Sequence, residues 1–174
     1  MESPQTGTPE PVAPAPFNFS LTASPVLLII PLVELTLELS IIEKLGVAGI
    51  VGFGRITAEP TGFSEGRTYT ALEFGAQVNY YILDRFDGLH VGLEGLAMRI
   101  STSDDGGASG SALGFNAGPY LGYKFIASFG LTFVAQLGYA VGLVKASASD
   151  GDQTASASSS GNGPLLNLNL GWSF

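Results

Sequence analysis

Four carboxylates and one amine are the groups in this chain whose placement could do chemistry. Glu34, Glu38, Glu73 and Glu94 each fall on the polar phase of a segment that alternates apolar and polar residues, and Lys124 falls on that phase of a later one. Buried charges are costly unless paired. The set, joined by Gln77, Asn116 and Gln136 from the same phase, therefore predicts a hydrogen-bonded polar network inside the fold. The sharper alternative is a narrow ion path or polar ligand site along the same groups.

His90 is the one histidine and stands beside the short segment 84–88. Catalysis by His and Ser needs both within hydrogen-bond reach. His90-Val91-Gly92 offers no neighbouring serine, so His90 is expected at an interface and no enzyme is expected. Asp104-Asp105, and Asp150 with Asp152, could give oxygen ligands to a cation. Ser103-Asp104-Asp105-Gly106-Gly107 completes no calcium-loop spacing, however, and reads as a solvated loop. Gly52-Phe53-Gly54 precedes no helix and so is no phosphate cradle. The absence of cysteine removes disulfides, thiol chemistry and Cys-containing zinc sites. No cofactor or metal is expected, and a net charge of −8 without any Lys/Arg run excludes nucleic acid as a partner.

The elements that must position these groups are strands. Hydrophobic residues make up 45% and charged ones 13%, about half the usual charged share of roughly 25%. That leaves too little charge to cover a water-facing surface. With 24 Gly and 10 Pro, helices are disfavoured, and no apolar run reaches the ~18 residues of a spanning helix. Residues 1–16 contain five prolines and read as an extended tail; the folded domain is 17–174.

Period-two alternation marks eight segments: 17–24, 33–41, 45–57, 69–83, 89–101, 113–126, 131–145 and 165–174. Val33, Leu35, Leu37, Leu39 and Ile41 against Glu34, Thr36, Glu38 and Ser40 give the cleanest signal. Ile50 is off pattern in the third segment. In the fifth, Leu96, Met98 and Ile100 share parity with His90, Gly92 and Glu94, which suggests a bulge. Connections at 43–44, 84–88 and 127–130 are short, whereas 60–67, 103–110 and 146–163 are longer and rich in Gly, Ser and Asp. The first connection, near 29–32, is tight.

The polar phase is mostly small and sparsely charged, which suits a crowded interior. The apolar phase carries more bulk than an eight-strand lumen can hold, so it points outward. About ten residues per tilted strand span roughly 25 Å, the height of an outer-membrane apolar band. The fold expected is all-β, an eight-stranded antiparallel up-and-down transmembrane β-barrel. Phe17, Phe19, Tyr80, Tyr81, Phe86, Tyr123, Phe125, Phe129, Trp172 and Phe174 gather toward one end as an aromatic girdle. Arg55, Arg99 and Lys145 share outward parity near the loop end, where long basic side chains reach lipid phosphates.

The chain ends on Leu170-Gly171-Trp172-Ser173-Phe174, a terminal aromatic with apolar residues at every second position before it. With the eight alternating segments, this resembles the small bacterial outer-membrane barrels of the OmpA/OmpX type over residues 17–174. Asn169 stands where that pattern often has Gly. The resemblance implies that Leu170, Trp172 and Phe174 serve as an insertion signal read by the barrel-assembly machinery. It implies a monomer in a Gram-negative outer membrane, exported with a signal peptide since removed, although Met1-Glu2-Ser3 itself opens no signal sequence. Membrane lipids, including lipopolysaccharide at Arg55, Arg99 and Lys145, are the other expected partners. The role expected is structural or loop-mediated interaction around a lumen filled by side chains. The alternative is transport or binding of small hydrophobic molecules through the barrel, and a soluble lipocalin-like carrier ranks last.

Overall fold

The computed structural model describes residues 17–29, 31–58, 67–83, 85–103, 108–150 and 153–174. The Pro-rich tail and Asp104, Asp105 and Asp152 lie outside them. Eight strands follow in order: β1 Phe19–Ala23, β2 Leu32–Ile42, β3 Leu45–Ala58, β4 Arg67–Tyr81, β5 Gly88–Ser103, β6 Ala108–Ile126, β7 Leu131–Asp150 and β8 Gln153–Ser173. Each pairs antiparallel with the next, and β8 returns to β1 through Ser20↔Ser173 to Ala23↔Leu170, closing the barrel. Closure pairs β1 with the turn-end part of β8, removing the open edge over that stretch.

The alternation sorts the side chains as expected. Leu37, Val51, Phe74, Leu121, Leu137 and Leu166 stand exposed on the outer face, whereas Thr36, Ala48, Glu73 and Gln136 are buried inside. Ile50, the apolar residue off the alternation, indeed lies on the inward phase: it pairs with inward Thr36 and is buried in the lumen.

The fifth segment corrects the expectation of a bulge. The β4–β5 and β5–β6 ladders run without a shift, so Leu96, Met98 and Ile100 point into the lumen with His90 and Glu94. The lumen changes character with height, polar near the short turns and apolar near the loops. The one irregular register in the β2–β3 ladder falls between Ser40 and Ile42.

Residues 146–150 and 153–163 are likewise strand, the end of β7 and the start of β8. The β7–β8 ladder continues up to Asp150↔Gln153, with Ser147 facing Ser156 and Ala146 facing Ala157. Small residues on both faces carry no hydropathy contrast, which is why the stretch reads as a loop. The first connection is also broader than expected, since β1 stops at Ala23 and a 3₁₀ turn at Leu27–Ile29 precedes β2.

The strands lengthen around the ring, from 5 residues in β1 and 11 in β2 to 20 in β7 and 21 in β8. The tallest strand therefore stands beside the shortest. Above Leu170, β8 is laddered to β7 alone. The Phe174 N–H donates to Phe19 and the Ser173 N–H to Gly130, so even-numbered β8 residues turn their backbone groups toward the β1 side. Pro164, even-numbered and on this free edge, has no N–H to leave unpaired.

Candidate functional site

The lumen is filled from the turn end upward. Lys124, wholly out of solvent, donates to Glu38 Oε2 and to Ser20 Oγ, each at 2.9 Å. The other oxygen of Glu38, Oε1, accepts from Asn79 Nδ2 and from the Tyr81 hydroxyl, both at 2.8 Å. The Tyr120 hydroxyl donates in turn to Asn79 Oδ1. Every strong group in this layer is thus paired, the condition under which a buried charge pair holds.

Phe86 closes the layer from below. Its ring is buried, with Lys124 Nζ 3.4 Å from the ring centroid, a cation–π contact. Phe86 itself has a positive φ of 61°, and its ring lies inside the barrel. Phe86 and Tyr81 therefore leave the predicted girdle for the lumen, while Tyr80, Tyr123, Phe125, Phe129, Trp172 and Phe174 remain exposed on the outside. Phe129 packs tilted against Trp172 and Phe19 against Phe174, with ring centroids 5.6 Å apart in each pair.

His90 is also corrected. It is not interfacial but fully buried in the lumen, 5.2 Å from the Tyr81 ring and 6.1 Å from that of Tyr120. Its ring nitrogens meet the Gly88 carbonyl at 3.3 Å and Gln136 Nε2 at 3.2 Å. Neither partner is a nucleophile.

A second polar layer lies above. Gln77 Nε2 donates to Glu94 Oε2 at 2.7 Å and to Gln136 Oε1 at 3.2 Å, and Asn167 Nδ2 donates to the same two acceptors at 2.7 and 3.0 Å. Glycines make the room. A Cβ at Gly92 would enter the Tyr120 ring, and one at Gly122 would meet His90. Of the eight residues the sequence proposes for the interior network, the structure brings Glu38 and Lys124 together in the lower hydrogen-bonded layer and Gln77, Glu94 and Gln136 in the upper one, with the His90 ring between the layers. Asn79, Tyr81, Tyr120, His90, Ser20 and Asn167 are the members sequence reasoning missed, although all share the inward phase.

Glu34 and Glu73 sit higher. Both are buried, and the register Glu34↔Gly52↔Glu73 places them on either side of a glycine. Glu73 Oε1 has no hydrogen-bond partner. Asn116 faces inward higher still, is exposed, and takes no part in the network. It lines instead an open hollow of about 480 Å³ with Leu96, Met98, Val144, Ser159 and Gly161.

No family model, curated protein or solved structure matches the chain.

Arg55, Arg99 and Lys145 are all exposed, on the outward phase toward the loop end. Arg99 and Lys145 lie in one ladder row through Leu113. Leu170, Trp172 and Phe174 share the outer face at the opposite end. Among the described residues no group of three or more His, Asp or Glu forms a metal-holding array.

Proposed function

We propose that this chain is an integral outer-membrane β-barrel that carries no through-pore and acts structurally or through its loop end. The observation that carries the reading is Lys124. Held by Glu38 and Ser20 and capped by Phe86, it occupies the axis at the turn end with no solvent contact. A hydrated ion passing that point would have to break a paired, buried network, which costs several kcal/mol.

The membrane part of the reading rests on the outer face. Leu, Val and Phe side chains are exposed there with few charges among them, as lipid requires and water does not. The aromatic set at the turn end and the basic residues Arg55, Arg99 and Lys145 at the loop end flank this band as interfacial anchors do. Its partners on this reading are membrane lipids, including the phosphates of lipopolysaccharide, and the assembly machinery that reads Leu170, Trp172 and Phe174. The working form is a monomer, and its place is the outer membrane of a Gram-negative bacterium.

Single-channel recording on the purified barrel in a planar bilayer tests the seal. The account expects no conductance steps. Reproducible steps that Glu73→Gln abolishes would contradict it.

A further inference from the structure

The outer face is not evenly bulky. In the ladder row Phe74↔Ala97↔Phe115 two rings, 60% and 50% exposed, stand on either side of a methyl group. One row nearer the turns the outward residues are Ala76↔Gly95↔Ala117, and a Cβ added at Gly95 would meet nothing within 4 Å. Small residues on β5 beside large ones on β4, β6 and β7 leave a furrow of about 860 Å³, floored by Gly95 and Ala97 and walled by Phe74, Phe115, Val141 and Leu143. Its head is basic. Arg99 is the next outward residue of β5 above Ala97, and Lys145, in the same ladder row through Leu113, is the next of β7 above Leu143. On the β8 side the lining turns polar with Ser160 and Asn162. Arg55 heads no such furrow, since the outward residue below it is the exposed Phe53.

We infer that this furrow binds one phosphorylated, multiply acylated lipid of the outer leaflet, its phosphate between Arg99 and Lys145 and one acyl chain laid along β5 between Phe74 and Phe115. The inference rests on the membrane reading above and gives lipid contact one address on the barrel. Neighbouring strands run about 4.8 Å apart, so Arg99 and Lys145, two strands apart, stand about 10 Å from each other at the backbone. Their long side chains can close that gap on a single phosphate, Arg99 with a two-pronged fork and Lys145 with a point charge. At an apolar boundary the attraction is screened less than in bulk water. The same spacing separates Phe74 from Phe115 and leaves a slot for one hydrocarbon chain. A lipid tail gains nothing from leaving other lipid, which is as apolar as the barrel, so packing decides where it stays. On a flat, bulky face a chain touches protein on one side, whereas in the furrow it touches the floor and both walls, and the many small dispersion contacts add up. The phosphate sets which lipid is held, and the slot sets where.

Native mass spectrometry of the full chain, released from detergent micelles after incubation with lipid A or with diacylglycerol, counts the lipids held per barrel. One lipid A per barrel is expected, held at least about ten-fold more tightly than diacylglycerol, which has the chains without the phosphate. Arg99→Gln combined with Lys145→Gln should weaken lipid A about thirty-fold. Gly95→Leu fills the slot without changing any charge and should weaken it about ten-fold. Gly49→Leu, equally free of contacts and on the outer face but away from the furrow, should change nothing. Diacylglycerol held as tightly as lipid A, or full lipid A retention by either the charge variant or Gly95→Leu, overturns the proposal. So does a dimer that Gly95→Leu breaks, because a second copy would then be what fills the furrow. Heat-shifted mobility in detergent gels and Trp172 emission in vesicles report the folded, embedded barrel separately, so loss of the site with both intact faults this proposal alone.

Discussion

Lys124 Nζ lies 2.9 Å from Glu38 Oε2, and neither side chain has appreciable access to solvent. The pair joins β6 to β2 across the lumen, so each residue depends on the other to be tolerated inside. Removing one partner leaves the other charge uncompensated. Lys124→Met or Glu38→Leu alone should destabilise the barrel by about 3–5 kcal/mol, whereas the double variant should recover much of that loss. Urea unfolding in detergent micelles, followed by circular dichroism, measures all three.

The glycines facing large interior side chains give a steric test. Gly92→Val pushes into the Tyr120 ring, whereas Gly49→Val points into open space outside. Overpacking costs about 1–3 kcal/mol, so the first variant should lose that much in the same unfolding assay. The second should stay within roughly 0.5 kcal/mol of the parent.

His90 fills space and satisfies Gln136 without touching a nucleophile. His90→Ala should therefore leave acyl release from lipid at the level of the parent barrel, which is the level of protein-free vesicles. It should still lower stability by about 1–3 kcal/mol through a cavity and an unpaired amide. Loss of a measurable esterase rate on this substitution would restore an enzymatic reading.

The chain end separates backbone from side chain. Phe174 exchanges backbone bonds with Phe19, at 2.8 and 3.2 Å, while its ring lies on the outer face. Phe174→Ala keeps the backbone pair and should refold in detergent like the parent, yet reach the outer membrane of cells in smaller amounts. Deleting Phe174 breaks the β1–β8 closure and should also lower the temperature of the gel-mobility shift. Identical behaviour of the two variants in both assays would remove the insertion role.

Arg55, Arg99 and Lys145 bear on lipid contact. Reversing all three to Glu should weaken association with anionic lipid by about 1 kcal/mol per residue, read as lost lipopolysaccharide co-purification. Unchanged co-purification would reduce these residues to unspecific interfacial anchors.

The strand phases, the closure of β8 on β1 and the inward carboxylates were legible because alternation of period two encodes one face per strand. Other features were not, for distinct physical reasons. Leu96 and Met98 looked out of phase because the lumen itself turns apolar toward the loops, so hydropathy no longer reports the face. Phe86 and Tyr81 looked like girdle aromatics because the positive φ of Phe86 is not legible in its residue type, and a tyrosine suits either a lumen or an interface. The Ala and Ser of 146–150 and 153–160 hide the ends of β7 and β8 because both faces there are small. The inward phase of Glu34 and Glu73 shows within each segment, but the glycine between them is a matter of register that no single segment shows.

The central claim is that the exposed apolar face meets lipid, and Trp172, the chain's one tryptophan, sits on that face. Its fluorescence in vesicles containing brominated phosphatidylcholine tests the claim most directly. The account predicts blue-shifted emission, strongly quenched by bromine in the acyl chains. Emission at the wavelength of water-exposed indole and untouched by brominated lipid, from a protein that stays soluble without detergent, would contradict it.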